Sequence, residues 1–150
     1  ICINYGLNHV TDFDSLTLSK GVMFVKVKRY VVEGIFRPTG PYVHAVESRD
    51  FVFVSGLLGA MPDGSLPEDP DTQLSQMFDN VSKVLSSLGI NKEAVLKTTV
   101  FMKDMSYATK LNEQYAHFFG SDFPARSMIQ VAGLPMNAFF EMELIALRSE

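Results

Sequence analysis

Apolar and polar residues alternate along several stretches of the chain, and this period of two predicts β-strands with one solvated face. The clearest example is residues 22–32, VMFVKVKRYVV, in which lysines alternate with valines. The same β-branched and aromatic character predicts further strands. In chain order these are residues 43–48, 51–60, 94–103, 126–132 and 139–148.

Apolar residues spaced by three and four predict an amphipathic helix after the third strand. Its stripe consists of Leu74, Met77, Phe78, Val81, Val84, Leu85 and Leu88. Asp71 or Thr72 is the predicted N-cap, and Gly89 the predicted stop. A second helix is predicted over residues 107–119. Its predicted cap and stop are Ser106 and Gly120.

The order of these elements is strands, helix, strand, helix, strands. It predicts an α+β fold with about six strands and both helices packed on one face of the sheet. The final strands carry apolar residues on both faces. Another subunit is therefore expected to cover the second face, and we predict a homo-oligomer.

Composition narrows the class of protein. The 150 residues fit one domain, and a net charge of −4 with a pI near 5.3 argues against a general nucleic-acid binder. No run of about 20 apolar residues is present, so no membrane partner is expected. The lone Cys2 fits a reducing compartment, and we predict a cytoplasmic location with an organelle as the alternative.

The first residues have a different character from the rest. The chain begins with Ile and has no basic segment followed by an apolar run. Residues 1–21 are interpreted as an N-terminal extension or an added leader, with Met23 as a candidate start. Residues 22–150 are interpreted as a single domain.

Several kinds of site chemistry have no matching motif. The three histidines, His9, His44 and His117, share no metal-ligand spacing with Cys2. No phosphate-binding or dinucleotide fingerprint occurs. We therefore expect no metal and no cofactor, and any catalysis is expected to proceed without a nucleophilic cysteine.

Arg126 is the first candidate site residue, because it lies in the mostly apolar stretch FPARSMIQVAGLP, residues 123–135. An unpaired guanidinium is costly to bury. One interpretation is an ion pair with Glu141 or Glu143, between strands or between subunits. The other is a bidentate fork for a ligand carboxylate, a geometry that arginine suits better than lysine.

Glu141 and Glu143 are the second candidates. Strand alternation places both carboxylates on one face with Ile145 and Leu147. Acids among aliphatic residues are unusual there. One of the two glutamates is expected to neutralise a structural arginine, and the other to handle a proton or a water. Which glutamate has which role stays open at this point.

Tyr42 and Ser55 are the remaining candidates from the residues alone. Tyr42 follows Gly40-Pro41 in a predicted loop, and Ser55 precedes Gly56 near the end of a strand. Tyr42 is either a ligand contact or a packing aromatic. Ser55 either contacts a ligand or bonds locally.

Six blocks together resemble the Rid/YjgF family, whose members are also called reactive-intermediate deaminases or L-PSP endoribonucleases. The blocks are GPY (40–42), FVFVSG (51–56), KTTVFMKDM (97–105), LNEQYAHFF (111–119), PARSMIQVAGLP (124–135) and EMELIALR (141–148). The resemblance implies a chorismate-mutase-like fold and a homotrimer with ligand sites between subunits. It also implies metal-free hydrolysis of short-lived 2-imino acids to 2-keto acids and ammonia.

The resemblance also implies roles for individual residues. Arg126 matches the arginine that grips the substrate carboxylate, and Glu141 matches the glutamate that positions or activates the attacking water. The residues expected to bind substrate are Tyr42, Ser55, Gly56, Asn112 and Met128. Met128 stands where many members have cysteine, so a thiol mechanism is not expected, while its backbone can still serve the pocket.

Two other functions are compatible with these residues. One is a non-catalytic module that binds or senses a small carboxylate such as a keto acid. The other is the ribonuclease activity attributed to some relatives. The acidic pI and the lack of a basic-aromatic stripe disfavour ribonuclease activity.

Overall fold

The computed structural model describes residues 26–148. The predicted leader, residues 1–21, and the start of the first predicted strand lie outside that range. The strands are β1 (Val27–Tyr30), β2 (Ala45–Ser48), β3 (Phe51–Leu58), β4 (Val95–Met102), β5 (Ala125–Gln130) and β6 (Phe140–Leu147), and the helices are α1 (Pro70–Ser87) and α2 (Ala108–Phe119). Short 3₁₀ turns cover Lys92–Ala94, Met105–Tyr107 and Pro135–Asn137.

The strands form one sheet in the order β1-β2-β3-β6-β4-β5. Neighbouring strands are antiparallel except β4 and β5, which are parallel. A parallel pair needs a crossover connection, and α2 supplies it. Helix α1 contacts β3, β6 and α2, so both helices lie on one face. The predicted α+β fold with six strands is confirmed.

Strand β6 shows how the core is divided from the second face of the sheet. Its residues Phe140, Met142, Leu144 and Ala146 face the helices and are at most 2% exposed. Burying one large apolar side chain contributes about 1.5–3 kcal/mol. Because side chains alternate along a strand, the residues between them, including Glu141 and Glu143, point to the opposite side, as predicted.

We call that opposite side the open face, because neither helix covers it. Large apolar side chains on it are 38–45% exposed, namely Val27, Phe51, Phe53, Ile129 and Leu147. The strand register places these residues on the side away from α1 and α2. Several exposed large apolar side chains on one face of a sheet are typical of an interaction site, and the homo-oligomer stays a prediction.

The start of α1 differs from the expectation. Asp69 is the N-cap, and its Oδ2 accepts a hydrogen bond from the Thr72 backbone N–H at 2.8 Å. The predicted caps Asp71 and Thr72 are therefore wrong. Pro70 is the reason, because its missing N–H and fixed φ suit the first helical position, and the helix begins earlier than its apolar stripe suggests.

The predicted cap of α2 is also wrong. Asp104 accepts the Ser106 backbone N–H at 2.8 Å and opens a 3₁₀ turn that leads into α2. Ser106 is thus a donor within this turn. Both helix stops are confirmed, because Gly89 and Gly120 follow the helices with φ of 64° and 72°.

Gly59 is expected to be the most sensitive glycine for stability. A Cβ at this position would lie 1.9 Å from the backbone carbonyl oxygen of Gln73 in α1. Because that oxygen belongs to a helix backbone, Gly59→Ala should lower the free energy of unfolding by about 1–3 kcal/mol. Urea denaturation measures the change.

Gly133→Ala is the matched control, because a Cβ at Gly133 meets nothing within 4 Å. We expect a change within about 0.5 kcal/mol for this variant. Equal effects of the two substitutions would contradict the steric explanation.

Candidate functional site

A cavity of about 420 Å³ lies where β3 meets the beginning of β6. It is lined by four of the predicted site residues, Tyr42, Ser55, Gly56 and Glu141. We call it the Glu141 cavity. Residues that are far apart in sequence therefore share one concave site, and that it binds a ligand stays a prediction.

An irregularity in β3 brings the Glu141 carboxylate against the backbone. The register between β3 and β6 shifts between Val54 and Leu57, so Ser55 and Gly56 lie in a bulge. A Cβ at Gly56 would lie 1.7 Å from Oε1 of Glu141. Glycine is thus the residue that allows the carboxylate to occupy this position.

Glu141 has no hydrogen bond or ion pair to any residue between 26 and 148. Burial raises the pKa of the Glu141 carboxyl, and the like charge of Glu143 on the same strand face raises it further. A carboxylate that is partly removed from water and has no cationic partner is a good proton acceptor. Its environment therefore suits general-base chemistry.

Ser55 and Tyr42 frame the cavity in different ways. The Ser55 hydroxyl donates to the Val43 carbonyl at 2.7 Å, and the Ser55 backbone N–H donates to the His44 carbonyl at 3.0 Å. Of the two interpretations of Ser55, the local hydrogen bond to the backbone is therefore present. Tyr42 is 48% exposed, so its ring lies at the rim and is not buried in the core.

His44 holds the loop that carries Tyr42, a role that sequence reasoning did not assign. Its Nδ1 accepts the Val32 backbone N–H at 2.8 Å, so its Nε2 carries the proton and donates to the Phe36 carbonyl at 2.9 Å. Burial lowers the pKa of the His44 imidazole; the hydrogen bond to Phe36 opposes this shift, and the charge of Arg37 adds to it. His44 is thus a neutral structural residue.

Arg126 lies on the helix side of the sheet. It is the neighbour of Thr98, whose side chain is fully buried beneath the helices. Nη2 of Arg126 donates to Oδ1 of Asn112 at 2.8 Å, and Cζ lies 4.4 Å from the ring centroid of Tyr115. The other guanidinium N–H groups have no partner within the described residues.

The predicted ion pair of Arg126 with Glu141 or Glu143 is therefore wrong within one chain. Thr98 aligns with Arg126, whereas Phe101 aligns with Glu141. An offset of three residues along β4 changes the face of the sheet. The version of this ion pair between two subunits stays a prediction.

Tyr115 positions Arg126, and sequence reasoning missed it. Its hydroxyl shares a 2.8 Å hydrogen bond with Oγ1 of Thr98, and its ring packs against Phe119 with centroids 4.5 Å apart. Burial raises the pKa of Tyr115, although the Thr98 hydrogen bond and the Arg126 charge oppose it. The spacing of three between Asn112 and Tyr115 on α2 was the available indication that both face Arg126.

The site residues thus form two groups. Arg126, Asn112 and Met128 lie on the helix side, where Met128 packs against the core two residues beyond Arg126. Tyr42, Ser55, Gly56 and Glu141 line the Glu141 cavity.

No cluster of three or more metal-ligating side chains occurs among residues 26–148, and none of their helices is long and apolar enough to span a bilayer.

The sequence profile of the family described as Endoribonuclease L-PSP matches residues 34–148. The chain belongs to this family, also called the Rid/YjgF family. The resemblance inferred from the six sequence blocks is therefore confirmed.

Individual Rid/YjgF relatives cover most of the chain. "Reactive Intermediate Deaminase A, chloroplastic" from Arabidopsis thaliana is 37% identical over 138 residues, 89% of this chain and 72% of the relative. "2-iminobutanoate/2-iminopropanoate deaminase" from Escherichia coli strain K12 is 37% identical over 113 residues, 73% of this chain and 88% of the relative. Because the first relative is chloroplastic, organelle forms exist among the relatives, and the cytoplasmic location stays a prediction.

A solved structure supports the same fold. The crystal structure of E. coli TdcF with bound serine superposes with a TM-score of 0.74 at 33% identity, covering 81% of this chain and all of TdcF. The six-stranded sheet with its two helices is therefore the fold of Rid/YjgF proteins.

The hydrogen bonds of His44 predict a pH dependence of stability. Because the folded protein holds the imidazole neutral, its pKa lies below the ordinary value of 6.5. Just below pH 6.5, His44 therefore binds more protons in the unfolded chain than in the folded protein. The contribution of neutral His44 to the free energy of unfolding is complete above that pH and is lost as the pH falls. Urea denaturation between pH 7.5 and about pH 5 measures it.

His44→Asn keeps an acceptor for Val32 but cannot titrate, so the pH slope should become smaller. His117→Asn, which changes an exposed histidine on α2, should keep the slope of the original protein. An unchanged slope in His44→Asn would refute the assignment to His44.

Proposed function

We propose that this protein is a metal-free deaminase that hydrolyses 2-imino acids from amino-acid catabolism to 2-keto acids and ammonia. The observation that carries the proposal is Glu141, a half-buried carboxylate that lies over Gly56 in a cavity and has no partner among residues 26–148. Arg126 adds a guanidinium with unused donors. The names of the Arabidopsis and E. coli relatives support the same reaction class.

The proposed chemistry follows from these groups. The carbon of a protonated imine is electrophilic, so a water can attack it without a strong nucleophile. Glu141 accepts a proton as the water oxygen bonds to that carbon, giving a tetrahedral carbinolamine. The proton passes to the nitrogen, the C–N bond breaks and ammonia leaves, and Glu141 takes the proton of the hydroxyl group as the carbonyl forms. Arg126 holds the substrate carboxylate, so that the carbon stays beside Glu141.

The two groups of site residues require two subunits. A small imino acid cannot reach through a sheet to contact both Glu141 and Arg126 of one chain. We propose a homotrimer in which Arg126, Asn112 and Met128 of one subunit face Tyr42, Ser55, Gly56 and Glu141 of the next. The exposed apolar residues of the open face support association, and the number three rests on the family resemblance. The TdcF crystals contain serine, a small α-carboxylate.

Arg126→Ala should lower kcat/KM for imine hydrolysis by roughly 10- to 100-fold, because a charged hydrogen-bonding group is lost. The assay follows keto-acid formation when the protein is added to an amino-acid dehydratase reaction. Arg49→Ala, in the exposed turn between β2 and β3, is the control and should keep full activity.

Mixing subunits tests the shared site. When Arg126→Ala and Glu141→Gln chains are unfolded, mixed in equal amounts and refolded together, about a quarter of the sites should hold both intact residues. Activity should recover accordingly, and recovery to no more than the level of either variant would contradict the shared site. Saturable keto-acid binding without faster imine decay would instead indicate a sensing module.

The raised pKa of Glu141 predicts an acid limb in the pH profile. Glu141 must be ionised to accept a proton, so kcat/KM should fall as the pH drops through a pKa above the ordinary 4.5. Glu143→Gln removes the like charge and should move this limb to lower pH.

Glu141→Gln should lose about 10²–10⁴-fold in rate. Glu113→Gln, an exposed change on α2, is the control.

Rate measurements between pH 4 and 8 at low substrate concentration give the profile. A limb that stays in place in Glu143→Gln would show that Glu141 is not the group that titrates.

A further inference from the structure

The turn before β6 holds Met136 in an unfavourable backbone conformation. Met136 and Asn137 have φ of 57° and 58°, in the left-handed region. Asparagine tolerates this region, whereas methionine gains nothing there from its side chain. Strained residues persist where the surrounding structure fixes them, and they cluster at functional sites.

The surroundings fix this turn through several hydrogen bonds. Lys103 Nζ donates to Asn137 Oδ1 at 2.6 Å, and the Ala138 backbone N–H donates to the Pro135 carbonyl at 3.1 Å. The Phe139 N–H donates to Oε1 of Gln73 in α1 at 2.8 Å. Met136 is therefore held in one place by contacts that do not involve its own side chain.

That side chain lines the Glu141 cavity and is 43% exposed. The other aliphatic and phenyl side chains of the cavity wall are those of Ile35, Phe36, Leu57, Leu58, Ala60 and Pro135. An exposed apolar side chain that lines a cavity with apolar wall residues is suited to contact an apolar ligand group.

The buried polar residues of the cavity do not offer free polar groups. Both ring nitrogens of His44 bond to the backbone. The Asn80 amide donates to the carbonyls of Leu58 and Ala60, and its oxygen accepts from Gln76. A ligand group in contact with Ile35 and Leu57 would therefore meet apolar surface and polar atoms that are already bonded.

In the single chain, the volume of the cavity also exceeds that of a small substrate. A three-carbon imino acid has six non-hydrogen atoms. The cavity of about 420 Å³ falls in the range of roughly 300–1,000 Å³ that buries much larger ligands.

We propose that the apolar part of the Glu141 cavity binds the large aliphatic or aromatic side chain of a 2-imino acid, and that Met136 is a specificity-determining residue that covers it. The protein then favours imines of leucine-like and phenylalanine-like amino acids over the imine of alanine. This inference rests on the proposed deaminase function and extends it to a substrate class.

The test compares two near-isosteric changes, Met136→Gln and Met136→Leu. An L-amino-acid oxidase generates the imines of alanine, leucine and phenylalanine, and kcat/KM is measured for each. Met136→Gln places a polar amide over the subsite and should lower the values for leucine and phenylalanine imines about tenfold. The value for the alanine imine should change less than about twofold, and Met136→Leu should keep the original preference.

Met105→Gln is the matched control, because Met105 is similarly exposed, at 40%, and does not line the cavity. It should leave all three values unchanged. Two outcomes would overturn the inference. One is an original protein that prefers the alanine imine, and the other is a Met136→Gln variant that changes all three substrates equally.

Calorimetric binding of pyruvate and 4-methyl-2-oxopentanoate separates this inference from the proposed function. A protein that hydrolyses no imine, but loses 4-methyl-2-oxopentanoate binding selectively in Met136→Gln, would refute the deaminase and retain the apolar subsite. Imine hydrolysis with unchanged selectivity in that variant would retain the deaminase and refute the subsite.

Discussion

Helices cover only one face of the sheet, and this constraint determines on which side of the sheet Arg126, Glu141 and Glu143 lie. Side chains alternate along a strand. A residue buried beneath α1 and α2 therefore places the residues before and after it in the strand on the open face. Leu144 beneath the helices places Glu143 outside, and Thr98 beside Arg126 places the arginine on the helix side. A slip of one residue would reverse both assignments, so the apolar core also specifies the site.

Two buried or half-buried glutamates show what a partner does to a carboxylate. Glu47 is only 8% exposed, and burial alone would raise its pKa. Its pKa is nevertheless lowered, because Tyr30 donates a 2.7 Å hydrogen bond and Lys28 and Arg148 lie 3.3 and 3.6 Å away. Glu141 has no such partner in the described part of the chain, and its pKa is raised. The difference separates a structural carboxylate from one that is available for proton transfer.

The sequence was sufficient for the elements whose evidence is local. Periodicity predicted the strands and helices within a few residues, and alternation predicted the shared face of Glu141 and Glu143. The caps failed because the proline at the start of α1 and the 3₁₀ turn before α2 moved the helix boundaries. Long-range partners could not be predicted, because contacts such as Tyr115 under Arg126 and His44 against Val32 exist only once the chain has folded.

The separation of Arg126 from Glu141 has a chemical consequence of its own. The two side chains lie on opposite faces of the sheet, and an ion pair between them would lower the pKa of Glu141 and occupy donors of Arg126. The sheet prevents this pairing within the chain, and the guanidinium of Arg126, with Cζ 4.4 Å from the ring centroid of Tyr115, has no carboxylate partner among residues 26–148. Under the proposed assembly, a bound substrate carboxylate then satisfies the arginine, and the glutamate keeps its proton affinity. Within the described part of one chain, the opposite faces of the sheet therefore keep both charges unpaired.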